Sequence, residues 1–258
     1  MKTMKRTAIL VVLLNLWITS LALKCKLVPG KMKQIDAGNG QVFGVNSRNQ
    51  IYTLYTNGWK LLRGALKHVT VGPAGIWGVS PRNEIYKLVK GDWAKVPGTL
   101  KQIDAGGTLF IVGVNKVDDI ICLNADETMG YKPGSPAPWV HVPGKLKYYS
   151  CGPYSCWGVN TQGNVYILKG VRPTACGGSM KWEQVPGLLS MIEVSTDGDV
   201  YGVNSLGNIY YRTGISPCNP AGTGWKQVQY SKRVKHVSYD LGHLWIIGTD
   251  DSITDCSI

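Results

Sequence analysis

Two sets of side chains in this 258-residue chain have types and spacings suited to chemistry. The first is Asp36, Thr70, Asp104, Ser150, Glu193 and Ser238, which recur at one place in a repeating segment. All six carry oxygen, and the carboxylates Asp36, Asp104 and Glu193 fall on every second copy. Hard cations such as calcium take several carboxylate and carbonyl oxygens, so a converging ring of this kind is a candidate calcium site. The other use of such oxygens is hydrogen bonding to a neighbouring copy of the segment. The second set is Asn46 with Arg48, Ser80 with Arg82, Asn160 with Gln162, and Asn204 with Tyr201. Polar groups beside aromatic residues can bond the hydroxyls of a sugar ring while covering its C–H face. The same Asn residues also suit tight turns. Catalytic patterns are missing: there is no Gly-x-Ser-x-Gly, P-loop or Cys-x-x-Cys. The four His (His68, His141, His236, His243) are scattered, and His236, two residues before Ser238, is the one candidate for a catalytic partner of the oxygen set. The chemistry expected is binding, not catalysis.

The elements that position these residues are visible as repeats. Val-Pro-Gly occurs at Val28–Gly30, Val96–Gly98, Val142–Gly144 and Val185–Gly187. Three residues before each Val stands Cys25, Trp93, Trp139 or Trp182, and degenerate copies begin at Trp59 and Trp225. Each copy continues through a basic-apolar stretch (Met32-Lys-Gln-Ile-Asp-Ala-Gly38), a Gly-Val-Asn element (Gly44, Gly113, Gly158, Gly202, with Gly78-Val-Ser) and an Ile-Tyr or Val-Tyr pair. Asn-x-x-Asn/Gly between the last two tolerates the left-handed backbone of a hairpin. Six repeats of four short strands, starting near 25, 59, 93, 139, 182 and 225, predict an all-β, six-bladed propeller of four antiparallel strands per blade over 23–258. Insertions fall at Ala125–Pro138, Gly170–Lys181 and Gly214–Gly224.

Ring closure has its own signature. Cys25 replaces the Trp of the first repeat and Cys256 lies in the last, so a closed ring brings them together and a Cys25–Cys256 disulfide would lock it. Cys151 and Cys156 flank one tight turn and are expected to pair. Of the remaining Cys122, Cys176 and Cys218, Cys122–Cys176 is preferred, with Cys176–Cys218 nearly equal; the odd thiol, Cys218 in the preferred scheme, could join two chains as a homodimer.

Residues 1–22 read as a secretory signal peptide: Lys2, Lys5 and Arg6, an apolar run from Ala8 to Trp17, and small residues at Ser20 and Ala22. Secretion into an oxidising compartment agrees with the cysteine content. No second apolar run is long enough to span a bilayer. The net charge of +12 favours anionic partners. Secretion and the lack of a dense basic run count against nucleic acid.

The motif Trp-x-x-Val-Pro-Gly-x-Leu-Lys-x-Ile-Asp-x-Gly…Gly-Val-Asn…Ile-Tyr resembles the tectonin repeat, and is most similar to the fish-egg lectin group related to the horseshoe-crab tachylectin-1 type. Tyr148-Tyr-Ser-Cys-Gly-Pro-Tyr-Ser-Cys-Trp-Gly-Val-Asn160 is especially similar. The resemblance implies a six-bladed propeller lectin of eggs or body fluids. It would bind N-acetylglucosamine-type sugars and bacterial lipopolysaccharide in innate defence, and some relatives carry calcium. The chain departs from the pattern in its odd cysteine count, in Asn115-Lys-Val-Asp-Asp119 of repeat three, and in repeat six, which lacks Val-Pro-Gly and Gly-Val-Asn. The competing reading from another class is an extracellular protein-interaction scaffold.

Overall fold

The structure, a computed structural model, describes residues 23–176 and 181–258. The signal segment read over residues 1–22 lies outside the described residues. The rest forms six four-stranded antiparallel sheets set around a common axis. Blade one runs outward through Gln34–Gly38, Gln41–Val45, Ile51–Tyr55 and Gly58–Leu62. Blades two to five repeat the order from inner strands His68–Gly72, Gln102–Asp104, Tyr148–Cys151 and Met191–Val194. Blade six takes three strands from the end of the chain, beginning with Val234–Asp240. Its outermost strand, Lys24–Lys31, comes from the beginning.

The sequence repeat and the blade are therefore out of phase by one strand. Each Trp/Val-Pro-Gly strand opens a repeat but forms the outer edge of the preceding blade. The offset closes the ring, because the first repeat's outer strand has only the last sheet to join. Lys24–Lys31 pairs with Ser252–Ser257 so that Cys25 and Cys256 face each other, and they form a disulfide.

Local turn chemistry follows the repeat. Asn46 Oδ1 accepts the backbone N–H groups of Arg48 and Gln50 at 3.0 and 2.9 Å. Asn115, Asn160 and Asn204 repeat this bond pair, and Ser80 Oγ does the same in blade two. The turn places Asn49, Asn83, Asp118, Gly163 and Gly207 at positive φ. Only Gly, Asn and Asp visit that region cheaply. The irregular Asn115–Asp119 segment thus makes the same turn as its clean counterparts.

The core lies between sheets rather than within one. Trp77, Val79 and Ile85 of blade two meet Ile103, Ala105 and Ile111 of blade three; Trp157, Val159 and Ile167 of blade four meet Ile192, Val194 and Val200 of blade five. A flat four-stranded sheet has two apolar faces, and each is covered by its neighbour. The insertion of blade three carries the short helix Ala125–Met129 and lays buried Tyr131 against Trp77. Cys122 of blade three is bonded to Cys176 in the insertion of blade four, and Cys151 to Cys156 across one hairpin. Cys218 is free and exposed. Among the described residues no helix is long and apolar enough to cross a membrane.

The closing disulfide joins residues 231 apart in the chain. Constraining so long a loop in the unfolded state contributes about 5 kcal/mol on the chain-entropy account. Cys25→Ser/Cys256→Ser should lower the thermal midpoint by about 10 °C or more. A calorimetric scan of oxidised protein checks this; an unchanged midpoint would show that strand pairing alone holds the ring.

Candidate functional site

The inner strands carry the first expected set. Asp36, Thr70, Asp104, Ser150, Glu193 and Ser238 are all buried at equivalent places beside the axis. Each of five reaches a backbone N–H of the next blade: Val71 N–H to Asp36 at 2.7 Å, Ala105 N–H to Thr70 at 3.0 Å, Cys151 N–H to Asp104 at 3.0 Å, Val194 N–H to Ser150 at 3.0 Å, and Ala37 N–H to Ser238 at 2.9 Å. The side chains also bond to one another. Ser238 donates to Asp36, and Ser150 stands 3.1 Å from Asp104 and 3.0 Å from Glu193. One layer towards the other mouth, the Gln34 and Gln102 amides clasp both backbone groups of Val69 and Tyr149. Tyr148 donates to Glu193 at 2.5 Å, with His68 and His236 Nε2 at 3.3 and 3.4 Å from its hydroxyl.

This belt has an electrostatic consequence. Burial, with little cationic compensation, pushes Asp36 and Asp104 up to about 7 and Glu193 well above the ordinary carboxylate range. Burial also pushes His68 and His236 down to about 3, so both imidazoles are neutral at physiological pH. His236 is therefore a poor general base, and it is enclosed by Tyr148 and the Val237 carbonyl. The donor set does not suit the calcium expected at Asp36, Asp104 and Glu193. Most of their oxygens accept N–H or O–H donors, the single Ser150 proton serving either Asp104 or Glu193, and among the described residues no three of His, Cys, Asp and Glu stand close enough to hold a metal ion.

The second expected set lies at the blade junctions. At the junction of blades three and four, Ile120, Gly144, Lys145, Leu146, Asn160, Tyr166 and Trp182 line a cleft of about 230 Å³. Between blades four and five, Gly187, Leu188, Leu189, Asn204, Tyr210 and Trp225 line one of about 210 Å³. Between blades one and two the same places hold Gly64, Leu66, Ser80, Tyr86 and Trp93, with Arg82 and Glu84 added, around about 440 Å³. Here Ser replaces Asn, and Glu84 accepts from Arg82 and from Lys95 at 3.3 and 2.7 Å.

Val-Pro-Gly strands build the clefts at Gly144 and Gly187, and the degenerate Leu62-Arg-Gly64 builds the third. Gly98 and Gly187 sit at φ of 114° and 131°, and a Cβ there would fall 2.7 and 3.0 Å from the indole nitrogens of Trp139 and Trp225. The glycine is thus required twice, by backbone and by the ring lying on it. The Trp139, Trp182 and Trp225 indoles donate to the carbonyls of Pro97, Pro143 and Pro186 at 2.7, 2.8 and 2.9 Å, bridging two blades. Trp93 faces Leu-Arg-Gly instead of Val-Pro-Gly, and its buried N–H has no partner among the described residues.

Of the expected ligand residues, Ser80, Arg82, Asn160 and Asn204 line clefts, and Asn46 holds the equivalent turn where Gly30 faces Trp59. Arg48 and Gln162 are exposed at the turn corners, contributing their backbone N–H groups to the turns. Tyr201 does not join Asn204. Three residues apart on an extended chain, the two point to opposite faces, and Tyr201 is buried against Tyr211 and Tyr239. The cleft walls Trp93, Trp182, Trp225, Tyr86, Tyr166 and Tyr210 were not among the expected contacts. Their signal was present in the sequence as the Trp and Ile-Tyr periodicities, which read first as packing.

The structure is a closed six-bladed propeller with an aromatic and polar cleft repeated at three blade junctions. The chain belongs to the tectonin family, whose domain signature matches residues 31–249. It is 55% identical over 235 residues to the fish-egg lectin of Cyprinus carpio, covering 91% of this chain and 98% of that protein. Among solved structures it is similar to virginiamycin B lyase of Staphylococcus aureus, with a TM-score of 0.60 at 14% identity, over 92% of this chain and 99% of the other. It is also similar to the propeller domain of Myceliophteria thermophila Cps50 (Swd1), with a TM-score of 0.57 at 7% identity, over 90% and 98%. These two likenesses show the fold alone.

The belt sets a pH dependence. Asp36 and Asp104 have folded values above their unfolded one, so their contribution is fully present below about pH 4 and is lost as pH rises through about 7. Asp36→Asn/Asp104→Asn should therefore gain stability relative to the parent as pH is raised from 4 to 8. Parallel urea titrations across that range check it. Added calcium or chelator should leave both proteins' midpoints unchanged; a rise with calcium in the parent alone would restore the metal reading.

Proposed function

We propose that this protein is a secreted, non-catalytic lectin that takes N-acetylglucosamine-type sugars in its inter-blade clefts and engages bacterial lipopolysaccharide in the defence of eggs or body fluids. The recurrence of one cleft at three blade junctions carries this reading. Each pairs a tryptophan and a tyrosine wall with a polar turn, and a sugar needs both surfaces. The relatedness to a protein named fish-egg lectin supports the same class. In this reading the aromatic walls take the C–H face of the ring. The Asn160 and Asn204 turns, and Ser80 with Arg82, take hydroxyl and acetamido groups. Repeated weak sites on one rigid ring suit a surface that repeats its sugars, since simultaneous engagement gains avidity without new contacts. The disulfides and the leader-like first segment support export.

The test is calorimetric titration with free N-acetylglucosamine alongside a glycan array. Saturable binding to more than one site per chain is expected. Trp182→Ala should remove one site from the stoichiometry and weaken array binding by about tenfold or more, given the worth of a stacked aromatic wall. No bound glycan at any concentration would sink the lectin reading, and capture of a defined protein from native fluid would then favour the scaffold.

A further inference from the structure

Five of the six inner strands are preceded by or begin next to a lysine. Lys33, Lys67, Lys101, Lys147 and Lys235 each stand one residue before the layer of Gln34, His68, Gln102, Tyr148 and His236, and Ser190 takes the place in blade five. The backbone register is the same in blades one to four: Lys33, Lys67, Lys101 and Lys147 N–H donate to the carbonyls of Val45, Val79, Val114 and Val159, all at 2.8 Å, whereas Lys235 stands at a register shift between Val234 and His236. The contacts between inner strands keep one constant offset from blade to blade, so these strands run in parallel around the axis. Their lysines therefore ring a single mouth of the tunnel.

The ring is crowded and under-compensated. All five side chains are half-buried. Lys101 and Lys235 are paired with Asp118 and Asp251. Lys33 and Lys67 donate only to the neutral amides of Asn49 and Asn83, and Lys147 has no carboxylate partner among the described residues. Burial first, and then the neighbouring ammonium groups, hold Lys33, Lys67 and Lys147 below the usual lysine range: Lys67 and Lys235 lower Lys33, with Asp251 opposing them, and Lys101 lowers Lys67 and Lys147. Beneath the ring, neutral His68 and His236 close around the Tyr148 hydroxyl. Half-buried cations gathered at one mouth sum to a positive field that a multivalent anion would relieve.

We propose that this lysine ring is a binding site, separate from the clefts, for carbohydrate bearing clustered phosphate or sulfate esters. The ring shares a face of the disc with the clefts, because Asn49 and Asn83 belong to the same turns as Asn46 and Ser80. An ester-bearing glycan could then place neutral sugars in the peripheral clefts and its anionic groups on the axis. That joint engagement rests on the lectin reading; the anion site itself does not. A single-stranded nucleic acid would call for exposed aromatic platforms beside the cations, whereas Tyr148 beneath the lysines is bonded to Glu193 and packed edge-on against His68 and His236.

The test uses the whole protein titrated with inositol hexakisphosphate. One saturable site per chain is expected, weakening as salt is raised. Lys147→Gln should weaken it about tenfold, and Lys33→Gln/Lys67→Gln/Lys147→Gln about a hundredfold or more, from the loss of charge-assisted bonds. Ser190→Lys should strengthen it. The triple variant should keep its N-acetylglucosamine binding, while Trp182→Ala should leave hexakisphosphate binding intact, so failure of the clefts and failure of the ring are distinguishable. Lipopolysaccharide before and after phosphatase treatment, and a sulfated oligosaccharide before and after desulfation, separate the two sources of ester. Full hexakisphosphate binding by a folded triple variant, no binding by the parent, or tighter binding of an oligonucleotide of equal charge would each overturn the proposal. If the triple variant does not fold, Lys147→Gln alone decides, since its side chain holds no partner whose loss would disturb the turn.

Discussion

Each sheet of a propeller ends at the axis on a strand with no further strand beside it. Its backbone groups would be left open in a space too narrow to solvate them well, and an open strand edge is costly when buried. The next blade supplies the answer through side chains. Asp36, Thr70, Asp104, Ser150 and Ser238 each take an N–H of the following inner strand, and Gln34 and Gln102 take both a donor and an acceptor. This belt fixes the angle and height of every blade against its neighbour. The outer tryptophan bridges, the clefts between them and the lysines at the mouth all inherit their positions from it.

The belt also gives its oxygen-bearing residues a role that needs no metal: five of the six accept a backbone N–H of the next blade. Asp, Thr and Ser can each accept a backbone N–H from the same strand position, so the place is interchangeable among them. A metal site would demand a fixed number of anionic ligands facing one point. Ser150 has one proton to offer and two carboxyls beside it, so with three buried acids near the axis the fold is more comfortable when some stay protonated. The clefts are built on the opposite principle. Their glycines and turn residues are fixed by backbone geometry, which leaves the aromatic walls half-buried and facing outward.

Much of this was legible because it rests on local chemistry. Positive φ at Asn49 or Gly163, and the glycine under each tryptophan, leave a residue-level signature that repeats with the blade. The pairing of Cys25 with Cys256 followed from closure, although the one-strand offset between repeat and blade did not: periodicity reports a spacing and says nothing about where the unit is cut. Other features were hidden by distance along the chain. Lys33, Lys67, Lys101, Lys147 and Lys235 are never adjacent in sequence, so they read as scattered charge until the ring gathers them. Tyr201 misled for the converse reason, since closeness to Asn204 in sequence does not survive the alternation of a strand. Trp182 and Trp225 do pack, against Tyr149 and Trp157, and they also line the clefts.

The borrowed outer strand of blade six governs the order in which the molecule can be assembled. Blades one to five are each made from one continuous stretch and can form soon after they are synthesised. Lys24–Lys31 is among the first segments of the described chain to be made, and it pairs with one of the last, Ser252–Ser257. Such a contact carries the greatest separation the chain allows and belongs to the slow end of folding. Until then the Cys25 thiol waits through the appearance of every other cysteine, including Cys218, which has no partner of its own. The native pairing is therefore protected by sequence in time: Cys122–Cys176 and Cys151–Cys156 are enclosed in finished blades before Cys256 arrives, and the exposed Cys218 is the competitor that remains.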